Sequence, residues 1–132
     1  MTIQQEVEVI LARQLADYLA LPIFLVDPDG NLLFYNEPAE EILDQRYAET
    51  GPMPADVWAT IFRPTDEDGN PVPPDQLPLI IALQQLRPAH SVFWIRGLGD
   101  NVARRIEVTA FPLIGQERRY LGALAIFWEL PQ

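Results

Sequence analysis

The amino-acid sequence predicts an α+β fold, in which an antiparallel five-stranded sheet carries short helices on one face and follows an amphipathic N-terminal helix. Two short apolar runs near residue 30 and three longer runs after residue 90 are each bounded by turn-forming residues. Between residues 50 and 88 the chain contains eight prolines, which allow only short helices. The 132 residues suit one compact domain, and we divide the chain into a helix over residues 1–20 and a domain over residues 21–130.

The first twenty residues show the periodicity of one helical face. Thr2 and Gln5 fit a capping box, and Pro22 ends the pattern. Apolar side chains recur at helical spacing at Ile3, Val7, Ile10, Leu11, Leu15, Tyr18 and Leu19. This helix is long for one that packs only on its own domain, so we expect its apolar stripe to meet a partner.

A β-hairpin and a capped helix follow. Apolar runs at 23–26 and 32–35 flank the turn sequence Asp-Pro-Asp-Gly-Asn, in which Gly30 can adopt a positive φ. Asn36 then caps a predicted helix over residues 37–43, because its side chain can accept a backbone N–H that the first turn leaves unpaired. The proline-rich stretch predicts two further short helices, over 54–62 and 78–86.

The last third of the chain predicts three antiparallel strands, over 91–95, 102–111 and 120–128. The third strand is apolar on both sides, although an antiparallel sheet usually leaves one face wet. One side carries Ala123, Ala125 and Phe127, and the other carries Leu124, Ile126 and Trp128. Each face of the sheet therefore needs a cover: the short helices on one, and the N-terminal helix or a second subunit on the other.

Composition excludes several classes of function. A net charge of −10 argues against nucleic acid and against an anionic membrane surface as partners. The absence of cysteine excludes disulfides, thiolate metal sites and cysteine nucleophiles, and all nine basic residues are arginine, so a Schiff-base lysine is excluded too. The chain carries no signal-peptide pattern, and we expect a cytoplasmic protein.

Four segments carry a resemblance to a known family. They read DPDGN followed by YNEPAE over 27–40, DGNPVPPDQLP over 68–78, RIEVTAFPL over 105–113 and LGA over 121–123. In this order they are similar to bacterial PAS sensor domains, with their opening hairpin, Asn-x-x-Ala helix start, pocket helix and last two strands. The chain departs from that family at its end, where Glu-Leu-Pro-Gln stands in place of the usual Asp-Ile-Thr signal. We find no output domain within these 132 residues, so the resemblance implies sensing on behalf of a partner or of an output domain missing from them.

The resemblance also implies a ligand site between the helices and the sheet. The residues expected to line it are Trp58, Phe62, Leu79, Leu83, Ile106, Val108, Ala125 and Phe127. Because these side chains are apolar, we expect a small apolar ligand such as an acyl chain, unless they form a plain core. Haem is disfavoured because the single histidine, His90, is expected as a partly exposed residue at the start of a strand. Light-sensing flavin chemistry of this family requires a cysteine, which the sequence lacks, whereas the resemblance leaves a noncovalent flavin or a small metabolite open.

We further expect a homodimer. Its interface is predicted at Ile3, Val7, Ile10, Leu11, Leu15, Tyr18, Leu124, Ile126 and Trp128, with Phe111 beside them. Three alternatives remain at this point. The helix can fold back on its own sheet in a monomer, the chain can be a dimerisation module without a ligand, or it can be a small cone-shaped enzyme with an Asp base. The last needs an acid inside the cone, and the inward strand positions carry none.

Weaker candidates are an oxygen-rich turn over 65–70, which lacks the closing glutamate of a calcium loop, and two arginine pairs beside turns, at 104–105 and 118–119, which are expected to be solvated. Glu40 and Glu41 face different directions on a helix and make a poor acid–base pair.

Overall fold

The computed structural model describes residues 10, 11, 14, 15, 18 and 20–131. After the N-terminal segment the elements are β1 (Ile23–Val26), β2 (Leu32–Tyr35), α1 (Glu37–Leu43), α2 (Tyr47–Thr50), α3 (Ala55–Ile61), α4 (Pro78–Gln85), β3 (Ala89–Arg96), β4 (Ala103–Ile114) and β5 (Tyr120–Glu129). Single 3₁₀ turns occur at Pro74–Gln76 and Gln116–Arg118. Residues 10, 11, 14, 15 and 18 are helical. Ile3, Val7 and Leu19 of the predicted helix lie outside the described residues.

The five strands form one antiparallel sheet in the order β2-β1-β5-β4-β3, which confirms the predicted fold class. The last strand of the chain is therefore the middle strand of the sheet. It pairs with β1 on one side and with β4 on the other. None of the described helices is long and apolar enough to cross a membrane.

Local signals explain the hairpin and the first helix. Gly30 has φ +90°, and Asp27 accepts the backbone N–H groups of Asp29 and Asn31 at 3.0 and 2.9 Å. The Asn36 side chain accepts the N–H of Ala39 at 3.3 Å, as a helix cap does. The structure adds the four-residue helix α2, which is too short to leave a periodic pattern. It extends β3 at both ends and β4 and β5 at their C-terminal ends only, and β4 begins one residue later than predicted.

The junction of β1 and β5 needs a glycine. Gly122 has φ +124°, and a Cβ atom built on it would lie 2.0 Å from the carbonyl oxygen of Val26. No side chain fits this approach, so Gly122 allows the first and last strands of the chain to meet in the middle of the sheet.

The sheet is apolar on both faces, as the pattern of β5 predicts. On the inner face, Ala123, Ala125 and Phe127 join the main hydrophobic core, which the short helices cover. On the outer face, Leu124 belongs to a second cluster with Ile23, Leu25 and Leu121. Partly buried side chains packed against that second cluster are Leu33, Phe34, Phe111, Leu113 and Ile126. Alternate residues of β5 thus serve two separate cores.

Candidate functional site

A cavity of about 90 Å³ lies between the inner face of the sheet and the short helices. Its walls are Phe24, Leu43, Trp58, Ala59, Phe62, Pro64, Leu77, Pro78, Leu79, Phe93, Ile95, Ile106, Val108, Ala125 and Phe127. Every one of these side chains is apolar except for the single N–H of the tryptophan. The cavity is therefore a gap in the main core, bounded by α3, α4, the end of α1 and the four strands β1, β3, β4 and β5.

The structure brings together seven of the eight residues expected to line a ligand site. They are Trp58, Phe62, Leu79, Ile106, Val108, Ala125 and Phe127. Leu83 is the exception, because it is not one of the wall residues. It lies one turn beyond Leu79 on α4, where its Cδ2 is 3.1 Å from a Cβ atom built on Gly30. The rise of that turn carries Leu83 past the cavity and under the hairpin turn.

The sequence analysis did not identify the other eight of the fifteen wall residues. Phe24 lies in β1, a run of four buried apolar residues whose inward positions cannot be read from alternation. Phe93 and Ile95 alternate along β3, and Phe93 pairs with Ile106 of the expected site, so the register of a β3–β4 hairpin would have found them. Of the remaining five, Leu43, Leu77 and Pro78 lie at helix ends, Pro64 lies in a loop, and Ala59 lies within α3 next to Trp58.

The cavity offers no polar group to a ligand. The indole Nε1–H of Trp58 donates to the carbonyl oxygen of Gly30 at 2.8 Å, so this wall donor is already paired. Throughout the described part of the chain, every buried side-chain nitrogen or oxygen atom has a hydrogen-bond partner. A guest in this space would therefore be held by apolar contact alone.

The volume limits what fits. A water molecule takes about 30 Å³ of liquid, and a dry apolar cavity of about 150 Å³ holds benzene. The 90 Å³ found here accommodates a guest of only a few heavy atoms. A flavin or a haem does not fit this conformation, and a longer apolar chain requires the helices to move away from the sheet.

An aromatic stack extends behind one wall. The Phe24 ring packs edge-on against Trp58, with centroids 5.4 Å apart, and stacks on Tyr35 at 5.7 Å. The hydroxyl of Tyr35 donates to the carbonyl oxygen of Gln45 at 3.0 Å and lies 3.3 Å from the Thr50 hydroxyl. Burial raises the pKa of the Tyr35 phenol, and the nearby carboxylate of Glu40 acts in the same direction.

Asn36 is a buried polar residue that joins three segments. Its side chain is 1% exposed; Oδ1 accepts the N–H groups of Ile23 at 3.0 Å and Ala39 at 3.3 Å, and Nδ2 donates to the carbonyl oxygen of Leu21 at 2.6 Å. One amide thus ties the segment before the sheet to the first strand and the first helix.

The residues expected at a dimer interface fall into two groups. On the sheet, Leu124 is 5% exposed within the single chain, Ile126 is half-buried and Trp128 is 40% exposed. On the helix, the described apolar residues are open to solvent: Ile10 at 39%, Leu11 at 56%, Leu15 at 59% and Tyr18 at 87%. Contact with a partner stays a prediction, but the available apolar area is on the helix and not at Leu124.

His90, Arg104 and Arg105 each pair with a carboxylate of the same chain. His90 is exposed on β3, and its Nε2 lies 2.6 Å from the Glu107 carboxylate. Arg104 pairs with Asp100 and Arg105 with Glu67, and these hydrogen bonds hold the pKa of Asp100 and of Glu67 below their usual range.

The side chain of Asp66 in the oxygen-rich turn accepts hydrogen bonds from backbone groups of the same turn. Asp66 Oδ1 accepts the N–H groups of Asp68 and Asn70, both at 2.9 Å. No cluster of three potential metal ligands occurs among residues 20–131 or the described helix positions.

Comparison with known proteins rests on the fold. No family model and no curated protein matches the sequence. Among solved structures, the chain resembles the PAS domain of the fruit-fly ELK potassium channel, with TM-score 0.72 and 10% identity over 98% of this chain and 100% of that one. It also resembles a PAS domain from Colwellia psychrerythraea, with TM-score 0.63 and 18% identity over 92% and 97% of the two chains.

A third relative in fold is the light-state dimer of the fungal blue-light photoreceptor Vivid, with TM-score 0.64 and 11% identity over 98% of this chain and 97% of that one. These matches define the class: the chain is an α+β domain built on a five-stranded antiparallel sheet. The particular fold is the PAS fold, as the sequence resemblance predicted.

Proposed function

We propose that this chain is a sensory signalling domain that takes up a small apolar molecule, acts as a homodimer and has no catalytic activity of its own. The observation that carries the proposal is the wholly apolar cavity in the main core. Cores normally close such gaps, because a fully enclosed and empty 90 Å³ would cost about 2 kcal/mol at roughly 24 cal/mol per Å³, which is the upper limit for a gap that is partly open to solvent. A guest that fills it would recover part of that free energy and so stabilise the folded state.

Strand β5 connects the cavity mechanically to the outer face of the sheet. Ala125 and Phe127 are wall residues, whereas Leu124 and Ile126, their neighbours along the strand, lie on the outer face. A guest large enough to shift the wall would therefore also shift the outer cluster. Such a shift changes the populations of two packings only if the guest binds one of them more tightly.

The exposed helix stripe supports the dimer. Leu11, Leu15 and Tyr18 each leave more than half of their surface in water, and burying a large apolar side chain is worth about 1.5 to 3 kcal/mol. A second copy presents the same stripe, so two helices can cover each other symmetrically. The fungal relative in fold is described as a light-state dimer, so this fold occurs in dimers. The dimer would pass its signal to an output protein or domain.

A dimerisation module without a ligand is the nearest alternative, and the cavity favours the sensor over it. An enzyme is disfavoured because none of the cavity walls is an acid, a base or a nucleophile.

Native mass spectrometry of the freshly purified protein tests the ligand. We expect an added mass, or an increase in melting temperature on adding a hydrocarbon of only three or four carbons, such as propane or isobutane, because the cavity takes a guest of only a few heavy atoms. The Ala125→Trp variant fills the cavity and should lose both effects. No added mass and no thermal shift with any hydrocarbon would refute the ligand and leave the dimerisation module.

Light scattering on the full chain tests the dimer. Leu15→Glu places a charge in the helix stripe and should give a monomer. Val102→Glu is the matched control, because Val102 is 48% exposed outside the stripe and should leave the dimer unchanged. A wild-type monomer at tens of micromolar would refute the dimer.

A further inference from the structure

The outer edge of β3 is paired over only half of its length. Trp94 exchanges two backbone hydrogen bonds with Thr65, at 2.8 and 2.9 Å, and the N–H of Arg96 donates to the carbonyl oxygen of Phe62 at 2.8 Å. The backbone groups of Trp94 and Arg96 therefore point away from β4. Since these groups alternate along a strand, those of His90 and Val92 point the same way.

The N–H and C=O groups of His90 and Val92 have no backbone partner within the described part of the chain. His90 is exposed and Val92 is half-buried. At the opposite edge of the sheet, backbone groups of β2 have partners. The N–H of Leu32 donates to the carbonyl oxygen of Met53 at 2.7 Å, and the carbonyl oxygen of Leu33 accepts a hydrogen bond from the hydroxyl of Tyr47. The first half of β3 is thus an open edge of the kind that accepts an added strand.

Charge beside this edge indicates what kind of strand it would accept. Thr65, which closes the paired half, begins the turn that carries Asp66, Glu67 and Asp68. Glu67 and Asp68 are exposed, but Glu67 pairs with Arg105 at 2.9 Å and accepts the indole N–H of Trp94 at 3.3 Å, so the charge left for a partner is that of Asp66 and Asp68. Val92 is two residues from Trp94, about 7 Å along the strand, so the end of a strand added at Val92 lies within reach of this acidic turn.

We propose that the edge at His90 and Val92 binds an extended peptide segment of a partner protein, with a lysine or arginine at the end that meets the acidic turn. The backbone groups supply the pairing, and the turn selects the charge of the partner. A second copy of this chain is a poor occupant, because its own edge would bring a second acidic turn and a second net charge of −10 to the same place. The binding is independent of the cavity and of the helix stripe.

Amide hydrogen exchange on the full-length protein tests the edge directly. In the free protein we expect the amides of His90 and Val92 to exchange fast, while those of Ser91 and Phe93, which face β4, are protected. The probe is the acetylated peptide Lys-Thr-Val-Thr-Val-Lys, which should raise protection at His90 and Val92 by about tenfold or more. The same peptide with N-methylated backbone amides should have no effect, and the version with glutamate in place of lysine should bind at least about tenfold more weakly at low salt.

Two variants isolate the backbone contribution. His90→Pro removes an N–H that points to the open edge and leaves the β3–β4 ladder intact, as edge prolines do. His90→Ala removes the same contact with Glu107 but keeps the N–H, so it is the matched control. Peptide binding should fall about tenfold in His90→Pro relative to His90→Ala.

Several outcomes would overturn the proposal. Protection of His90 and Val92 in the free protein would mean that the edge is already covered, and protection that rises with protein concentration alone would identify a second copy as the occupant. Equal binding of the N-methylated peptide, or no change at either amide in millimolar peptide, would show that no strand is added. If His90→Pro fails to fold, the wild-type exchange data still decide the question.

Discussion

The position of the cavity can be tested by whether valine stabilises or destabilises the fold at each of two alanines of β5. Ala125 lines the cavity, whereas Ala123 lies on the same face of the same strand, is fully buried and is not a wall residue. Valine adds two methyl groups at either position. At Ala125 the methyl groups enter empty space, and at Ala123 they meet packed neighbours.

The expected changes in the free energy of unfolding follow from the two added methyl groups and are limited by the volume of the cavity. Two buried methyl groups are worth about 1.6 kcal/mol, at roughly 0.8 kcal/mol each, and lost side-chain freedom reduces this to about 1 kcal/mol. Ala125→Val should therefore stabilise the fold by about 1 kcal/mol, within the limit of about 2 kcal/mol set by the cavity. Ala123→Val should destabilise it by about 1 to 3 kcal/mol through overpacking.

Ala125→Trp extends the series, because its side chain exceeds the cavity. We expect a loss of about 1 to 3 kcal/mol with the fold retained.

Urea denaturation followed by tryptophan fluorescence and circular dichroism measures all three variants, with unchanged m-values as the check on two-state unfolding. If the two valine variants shift stability in the same direction, or if Ala125→Trp unfolds like the wild type, the cavity is not where the structure has it.

Asn36→Ala should destabilise the fold by about 2 to 4 kcal/mol in urea, because it removes a cap and leaves buried backbone groups unpaired, and a loss below about 1 kcal/mol would contradict this. The free energy of unfolding should fall as the pH rises above about 10, because the pKa of Tyr35 is raised in the folded state and the unfolded state therefore loses this proton first. The stabilisation that comes from this raised pKa is fully present below the pKa of the unfolded state and is lost as the pH rises through the pKa of the folded state. Tyr35→Phe should weaken that alkaline loss, which a pH series of urea titrations measures. Gly122→Ala should prevent folding or cost more than about 3 kcal/mol, because the new Cβ would overlap the Val26 carbonyl, whereas Gly69→Ala, with positive φ but open space, should cost about 1 kcal/mol. Melting curves that place these two glycine variants together would refute the close approach of β1 and β5.

How far the sequence predicts the structure depends on whether a signal is local. The hairpin and the cap at Asn36 were predicted because a turn sequence and a capping side chain act within a few residues. The inward phase of β5 was predicted because its alternation continues over the whole strand. Helix α2 was not, since four residues form barely one turn and its N-cap makes no side-chain hydrogen bond.

The candidate site was predictable in its chemistry but not in its size. The family resemblance and the apolar pattern located seven of the fifteen wall residues, yet no pattern specifies that the side chains stop 90 Å³ short of filling the core. Leu83 shows the same limit: its spacing from Leu79 gives the face of the helix and not how far the cavity extends along it. The open edge at His90 also depends on a long-range contact, between Thr65 and Trp94, that leaves no trace in either segment alone.

The position of β5 in the middle of the sheet has a consequence for biosynthesis. Strand β1 leaves the ribosome about 100 residues before the strand that must lie beside it is complete. At roughly 5 to 20 residues per second, the hairpin waits on the order of 5 to 20 s with both of its apolar sides uncovered. The nascent chain is then a natural client for a chaperone that shields short apolar strands. Slow translation of the last third would lengthen that exposure, so synonymous codon changes there should affect the yield of folded protein without altering a single contact.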